Sequence, residues 1–240
     1  MTHRFFAIAS FPARLVAGLL LLALEMTLGS SHSAAARDWA QSGAPPGHFD
    51  SYLLSLSWSP EFCASPGGNN APDQCAPARR YGFVLHGLWP QYANGGYPEA
   101  CATTGNQSVP EALVNQMLPL MPARGLIRHE WDKHGTCTGL TMEAYFEQAA
   151  RAYRSIRIPD AYQQPAADLP VTISQLKAAF QTANPGLAEN SLAVICKKQY
   201  LMEVRVCLAS TLTPQPCGVG IESQCRDGKA VLRAVRSGHP

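Results

Sequence analysis

His129-Glu130-Trp131-Asp132-Lys133-His134-Gly135-Thr136-Cys137 places two imidazoles, a carboxylate and an ammonium within nine residues. On a helix, Glu130, Lys133 and His134 stand at i, i+3 and i+4 and share a face, and His129 and Lys133 are also i, i+4 neighbours. Acid-base groups beside a cation suit chemistry on an anionic centre such as phosphate. A second stretch, Leu85-His86-Gly87-Leu88-Trp89-Pro90, lies about forty residues upstream and adds a third histidine beside an aromatic ring.

The chain has 240 residues, and its first part reads differently from the rest. Arg4 and Arg14 precede the apolar run Leu15 to Leu24, and Ala34-Ala35-Ala36 offers an A-x-A cleavage site. This is the pattern of a secretory signal peptide over residues 1–36. Glu25 closes the run well short of the ~20 residues that a membrane span requires, which disfavours an anchor. The remainder, residues 37–240, has the length of one domain and enough chain for a substantial core.

All eight cysteines (63, 75, 101, 137, 196, 207, 217 and 225) fall in that remainder. An even count in an exported chain reads as four disulfides, although 105 pairings are possible. Setting aside Arg4 and Arg14 from the 19 basic residues, and Glu25 from the 17 acidic ones, leaves a mature charge near +1. Such a balance does not predict a strong electrostatic grip on a polynucleotide. Local clusters at Arg79-Arg80, Arg151/Arg154/Arg157 and Lys197-Lys198 could still guide an RNA strand, but such groups are more often a solvated face.

Alternation from Ser51 to Trp58 predicts a strand with Leu54 and Leu56 on one side and Ser55 and Ser57 on the other. Pro60 to Pro77 reads as a loop, and Tyr81 to Leu85 as a short strand delivering His86 at its end. Asn94-Gly95-Gly96 marks a turn. Helices are expected over Glu111 to Met117, from Thr141 (as cap) to Ile158-Pro159, and over Ser174 to Thr182. Strands follow at Leu192 to Ile195 and Leu201 to Leu208, the latter with Met202, Val204, Val206 and Leu208 on its inner face. Helices lie mainly between strands that come before and after them. The expected architecture is therefore α+β, a single domain in which a central, mainly antiparallel sheet is packed by helices.

The two histidine-bearing stretches together resemble the paired active-site segments of the ribonuclease T2 family. Leu54-Ser55-Leu56-Ser57-Trp58 leading to Cys63 is similar to that family's first core strand, and Leu201 to Leu208 to a late one. The resemblance implies an exported endoribonuclease that cleaves single-stranded RNA through a 2′,3′-cyclic phosphate, in the periplasm or the medium. It implies the pairs Cys63–Cys75, Cys101–Cys137, Cys196–Cys225 and Cys207–Cys217. His134 would act as general base and His86 as general acid, with Glu130 and Lys133 stabilising the phosphorane and His129 orienting the phosphate. Trp89 and Gln91 occupy positions that help to form a base pocket, and Tyr92 could stack on a base. Family members often carry glutamine before the tryptophan of the first strand; Ser57 stands there in this chain, so base preference is expected to be relaxed.

No cofactor or metal is expected, DNA should be inert for want of a 2′-hydroxyl, and a monomer free of the membrane should remain once the signal is removed. Two rival readings are a non-catalytic RNA-binding member and a metallohydrolase. His129-Glu130 invites comparison with H-E-x-x-H zinc sites, but the second histidine comes at i+5, about 140° around the helix from the first. Trp58 and Trp131 are expected in the core, and each lone histidine or charge pair has an ordinary structural reading. Three of the five histidines left in residues 37–240 nevertheless fall in the two stretches.

Overall fold

A computed structural model describes residues 40–103 and 108–235; the expected signal segment lies outside them. Fourteen regular elements follow in chain order, with short 3-10 turns between them. They are β1 (Ala40–Ser42), β2 (Ser51–Trp58), α1 (Ser59–Cys63), α2 (Pro72–Cys75), β3 (Phe83–Gln91), β4 (Tyr97–Glu99), α3 (Glu111–Met117) and α4 (Arg124–Lys133). Next come α5 (Met142–Arg154), β5 (Leu169–Thr172), α6 (Ile173–Ala183), β6 (Leu192–Lys197), β7 (Tyr200–Ala209) and β8 (Lys229–Leu232). The fold class is α+β, as the distribution of helical and strand patterns predicts.

Six strands form one sheet in the order β3-β2-β7-β8-β5, with β6 also on β7. The pairs β2–β3, β2–β7, β6–β7 and β5–β8 are antiparallel; β7 meets β8 in parallel at Tyr200 and Val231. β1 and β4 make a separate parallel pair. Strands β1, β4, β5 and β8 are short and were not legible from alternation. Pro170 fits β5 because that strand is at the sheet's edge, where a missing N–H costs no ladder bond.

β3 is longer than the predicted Tyr81–Leu85 and runs through the whole histidine-bearing stretch. Its register against β2 shifts between Ser55 and Leu56, which pair with Gly87 and Leu85, so His86 is the unpaired residue of a β-bulge. Without the bulge, Leu85 and Leu88 would face opposite sides of the sheet. With it, both are fully buried beside Leu54 and Leu56, while His86 and Trp89 emerge on the other face. The core beneath includes Trp58, Phe146, Ile127 and Phe180. Truncating one of these buried leucines to alanine would cost about 2–5 kcal/mol.

The helices begin as their sequences suggest. Thr141 accepts a hydrogen bond from the Ala144 amide at the start of α5, and Thr172 with Gln175 forms a capping box on α6. The Pro60–Pro77 region differs from the expected loop: it holds α1, α2 and a 3-10 turn at Pro66–Asn70, each with proline in its first turn. Trp58 and Trp131 are core residues, as expected. No helix among the described residues is long and apolar enough to cross a membrane.

All four disulfides join the pairs that the resemblance implies. Cys101–Cys137 ties the segment after β4 to the turn that follows α4, and the Ala100 amide donates to the Lys133 carbonyl at 2.8 Å beside it. Replacing both cysteines with serine opens a loop of 36 residues, against 12 for Cys63–Cys75. Chain entropy then predicts a loss of about 4 kcal/mol for the first pair and about 3 kcal/mol for the second. Urea denaturation of the two double variants should rank them in that order; a reversed ranking would contradict it.

Candidate active site

α4 brings its functional side chains to one end. Ile127 and Trp131, at i and i+4, are buried, and they turn Glu130 inward so that only 1% of it is exposed. Regular helix stops at Lys133; His134 is the C-cap residue and donates its backbone N–H to the Glu130 carbonyl at 3.0 Å. Gly135 follows, where a Cβ would overlap the Trp131 ring. The shared face of Glu130, Lys133 and His134 predicted for a continuous helix is kept, although His134 caps the helix rather than extending it.

β3 crosses this helix end at Gly87. A side chain there would overlap the Glu130 carboxylate and the Trp89 indole nitrogen, which explains the glycine between His86 and Leu88. The Trp89 Nε1–H donates to Glu130 Oε2 at 2.7 Å. Its ring stacks on His134 at 5.3 Å between centroids and meets His86 edge-on at 5.1 Å. Trp89 therefore stands between the two imidazoles and also anchors the carboxylate.

A cavity of about 380 Å3 opens over this group. His86, Trp89, Gln91, His129, Glu130, Lys133 and His134 all line it, so seven of the eight residues chosen from the sequence converge. Tyr92 does not; it lies in the turn after β3, where its amide donates to the Gly96 carbonyl at 3.0 Å. Ser57 is also absent from the lining, as are the basic clusters at 79–80, 151–157 and 197–198. A larger hollow of about 840 Å3, lined by Lys198, Arg226 and Lys229 among others, holds no histidine.

The sequence reading passed over two residues on β7, Glu203 and Arg205. Glu203 Oε1 lies 2.8 Å from His86 Nδ1, and Arg205 Nε and a terminal nitrogen each reach Glu203 Oε2 at 2.8 Å. Their signal was present: assigning Met202, Val204, Val206 and Leu208 to the inner face leaves two opposite charges on the other face of a strand otherwise apolar there, although at the start of β7 it is Leu201, not Met202, that enters the core. Tyr97 and Glu99, on β4, were missed because that strand has only three residues. Glu99 pairs with the Lys133 ammonium at 3.4 Å, and Lys133 lies 5.8 Å from the Tyr97 ring centre.

The surroundings push the ionisable groups apart. Burial would lower the His86 imidazole, but the hydrogen bond and charge of Glu203, with Glu130 behind, outweigh it and hold His86 above its ordinary 6.5. Burial lowers His134 to about 3, and the charges of Lys133, His129 and His86 act in the same direction. Burial raises Glu130 to about 7 against the opposing pull of His86 and the Trp89 hydrogen bond. Glu203 is held down at about 2: burial opposes ionisation, but His86 and Arg205 overcome it. The two imidazoles are thus displaced in opposite directions, His86 toward the protonated form and His134 toward the neutral one. Cys137, at the end of the same stretch, is committed to its disulfide.

The comparisons agree with this geometry. A profile of the ribonuclease T2 family matches residues 49–217. A ribonuclease of Aeromonas hydrophila is 41% identical over 131 residues, 55% of this chain and 55% of its own length, so the chain spans about half of that relative. Ribonuclease I of Escherichia coli (strain K12) is 29% identical over 247 residues, covering 82% of this chain and 91% of its own. In fold, an RNase-related protein from Calystegia sepium superposes with a TM-score of 0.64 at 23% identity, over 78% of this chain and 98% of its own. With both histidine-bearing stretches inside the matched span and converging on one cavity, the chain belongs to the ribonuclease T2 family.

Proposed function

We propose that the protein is an exported endoribonuclease that cleaves single-stranded RNA by transesterification, with a 2′,3′-cyclic phosphate as first product and a 3′-phosphate as second. Two histidines on the walls of one cavity, displaced in opposite directions, carry this reading: a carboxylate partner favours the protonated form of His86, and burial favours the neutral form of His134. Neutral His134 takes the proton of the 2′-hydroxyl, the 2′-oxygen attacks phosphorus, and protonated His86 supplies the departing 5′-oxygen with its proton. The roles reverse when water opens the cyclic ester.

Lys133 and Glu130 act on the phosphorane, the first as a point charge and the second as a carboxyl half-protonated near neutral pH, able to share a proton with a non-bridging oxygen. His129 orients the phosphate from the exposed rim. Each step has a side chain to perform it without a metal, and DNA lacks the nucleophile. Relaxed base preference is supported by Ser57 lying off the cavity and by apolar walls at Val219 and Ile221. Four disulfides suit an oxidising compartment, periplasm or medium, and a signal peptide over 1–36 is part of the same proposal.

Digestion of single-stranded RNA in excess EDTA, with end groups read by mass spectrometry, should give cyclic 2′,3′-phosphates from the wild type. His86→Ala and His134→Ala should each lower kcat by about 10²–10⁴-fold with RNA affinity retained. RNA binding without cleavage by the wild type would instead support a non-catalytic scaffold, and activity restored by added metal a metallohydrolase.

The pH profile of kcat/KM should be a broad bell. Activity rises as His134 loses its proton, far below 6.5, and falls as His86 loses its own, above 6.5. A flat profile, or a narrow one centred well above 6.5, would contradict the assignment. Gly87→Ala should keep all four disulfides yet reduce turnover by about a hundredfold, because the new methyl displaces the Glu130 carboxylate and the Trp89 indole together.

A further inference from the structure

Glu203 is a carboxylate with 6% of its surface exposed, set into the sheet beneath the cavity. A buried carboxylate is costly unless its oxygens are occupied, and here each has its own partner. Oε2 receives both Arg205 contacts, which fixes the plane of the carboxylate. Oε1 is thereby aimed at His86 Nδ1, 2.8 Å away. The contact passes over β2, whose Ser57 and Ser55 pair with Glu203 and Arg205 and are small enough to leave the path open. His86 reaches it because the bulge leaves this residue unpaired on the same face.

We propose that Glu203, clamped by Arg205, is a positioning residue for His86, fixing its tautomer and aiming its Nε2 at the oxygen that leaves. This rests on the reading of His86 as the proton donor. An ionised carboxylate only accepts hydrogen bonds, so Nδ1 carries a proton in both charge states. Nε2 is therefore the nitrogen that gives and takes the catalytic proton. It faces Glu130 Oε1 at 3.7 Å, beyond hydrogen-bond reach, and is free to meet a substrate oxygen. The same tautomer serves both half-reactions: cationic His86 protonates the leaving 5′-oxygen, and the resulting neutral imidazole, with its lone pair on Nε2, later deprotonates water. The charged or titratable groups facing the ring are Glu203 and Arg205 from β7 and Glu130 and His134 from the end of α4. Of these, Glu203 alone hydrogen-bonds it.

The test compares two substrates of the oxidised, full-length mature protein. Uridylyl-3′,5′-adenosine leaves as an alkoxide that needs a proton, whereas uridine 3′-(p-nitrophenyl phosphate) leaves as a nitrophenolate that does not. Glu203→Gln should lower kcat on the dinucleotide by about 10–100-fold with KM little changed, and move the alkaline limb of its pH profile to lower pH. The nitrophenyl ester should lose less than about threefold, and His86→Ala should show the same selectivity between leaving groups. Equal losses on both substrates, or an unmoved alkaline limb, would overturn the role of Glu203 while leaving the transesterase reading intact. A wild type that forms no cyclic phosphate from either substrate would overturn both. Nitrogen-15 spectra of the histidines in the unmutated protein give an answer independent of any variant's folding. Neutral His86 protonated at Nδ1 supports the proposal, and protonation at Nε2 defeats it.

Discussion

Everything in this site depends on one unpaired residue in β3. A strand alternates its side chains with a period of two, yet the stretch from Leu85 to Trp89 needs two leucines, three apart, in the core and a histidine and a tryptophan, also three apart, on the opposite face. The bulge at His86 reconciles these demands. It also bends the chain so that Gly87 runs against the end of α4, where Trp89 can reach Glu130. Core packing and active-site geometry are thus two consequences of the same local irregularity, and neither can be altered alone.

A second constraint is electrostatic. Two histidines that touch the same tryptophan would ordinarily titrate together near neutrality. Here they are separated by what lies behind them: a clamped anion behind His86, and burial with nearby cations around His134. The difference in proton affinity between two chemically identical side chains is therefore written in β7 and in the end of α4, not in the histidines themselves. Trp89 serves both as a wall and as a hydrogen-bond donor, and Gly87 contributes by having no side chain at all.

Much of this was legible in the sequence because local rules carried it. The helix cap at Thr141, alternation in β2 and β7, and the dense cluster from His129 to His134 depend on neighbours a few residues apart. Short strands such as β4, whose three residues carry no period, left no such trace, and neither did the bulge, which is invisible until β3 is set against β2. Glu203 and Arg205 were passed over for a related reason. The pairing of Glu203 with His86 spans more than a hundred residues, and in the chain Glu203 and Arg205 resemble ordinary charges on a strand's solvent face. Tyr92 erred in the other direction, since adjacency to Gln91 placed it near the cavity in sequence while the turn carried it away.

The cross-link between Cys101 and Cys137 has a consequence in time. It secures the end of the helix that presents Glu130, Lys133 and His134, and it can form only after the chain meets an oxidant. Until then the polypeptide holds every reactive group but lacks the covalent tie that keeps them in place. On the proposed export route, that tie would form only where thiols are oxidised. For the ribonuclease proposed above, whose substrate is a polymer that protein synthesis requires, that bond would be a physical separation between being made and being armed.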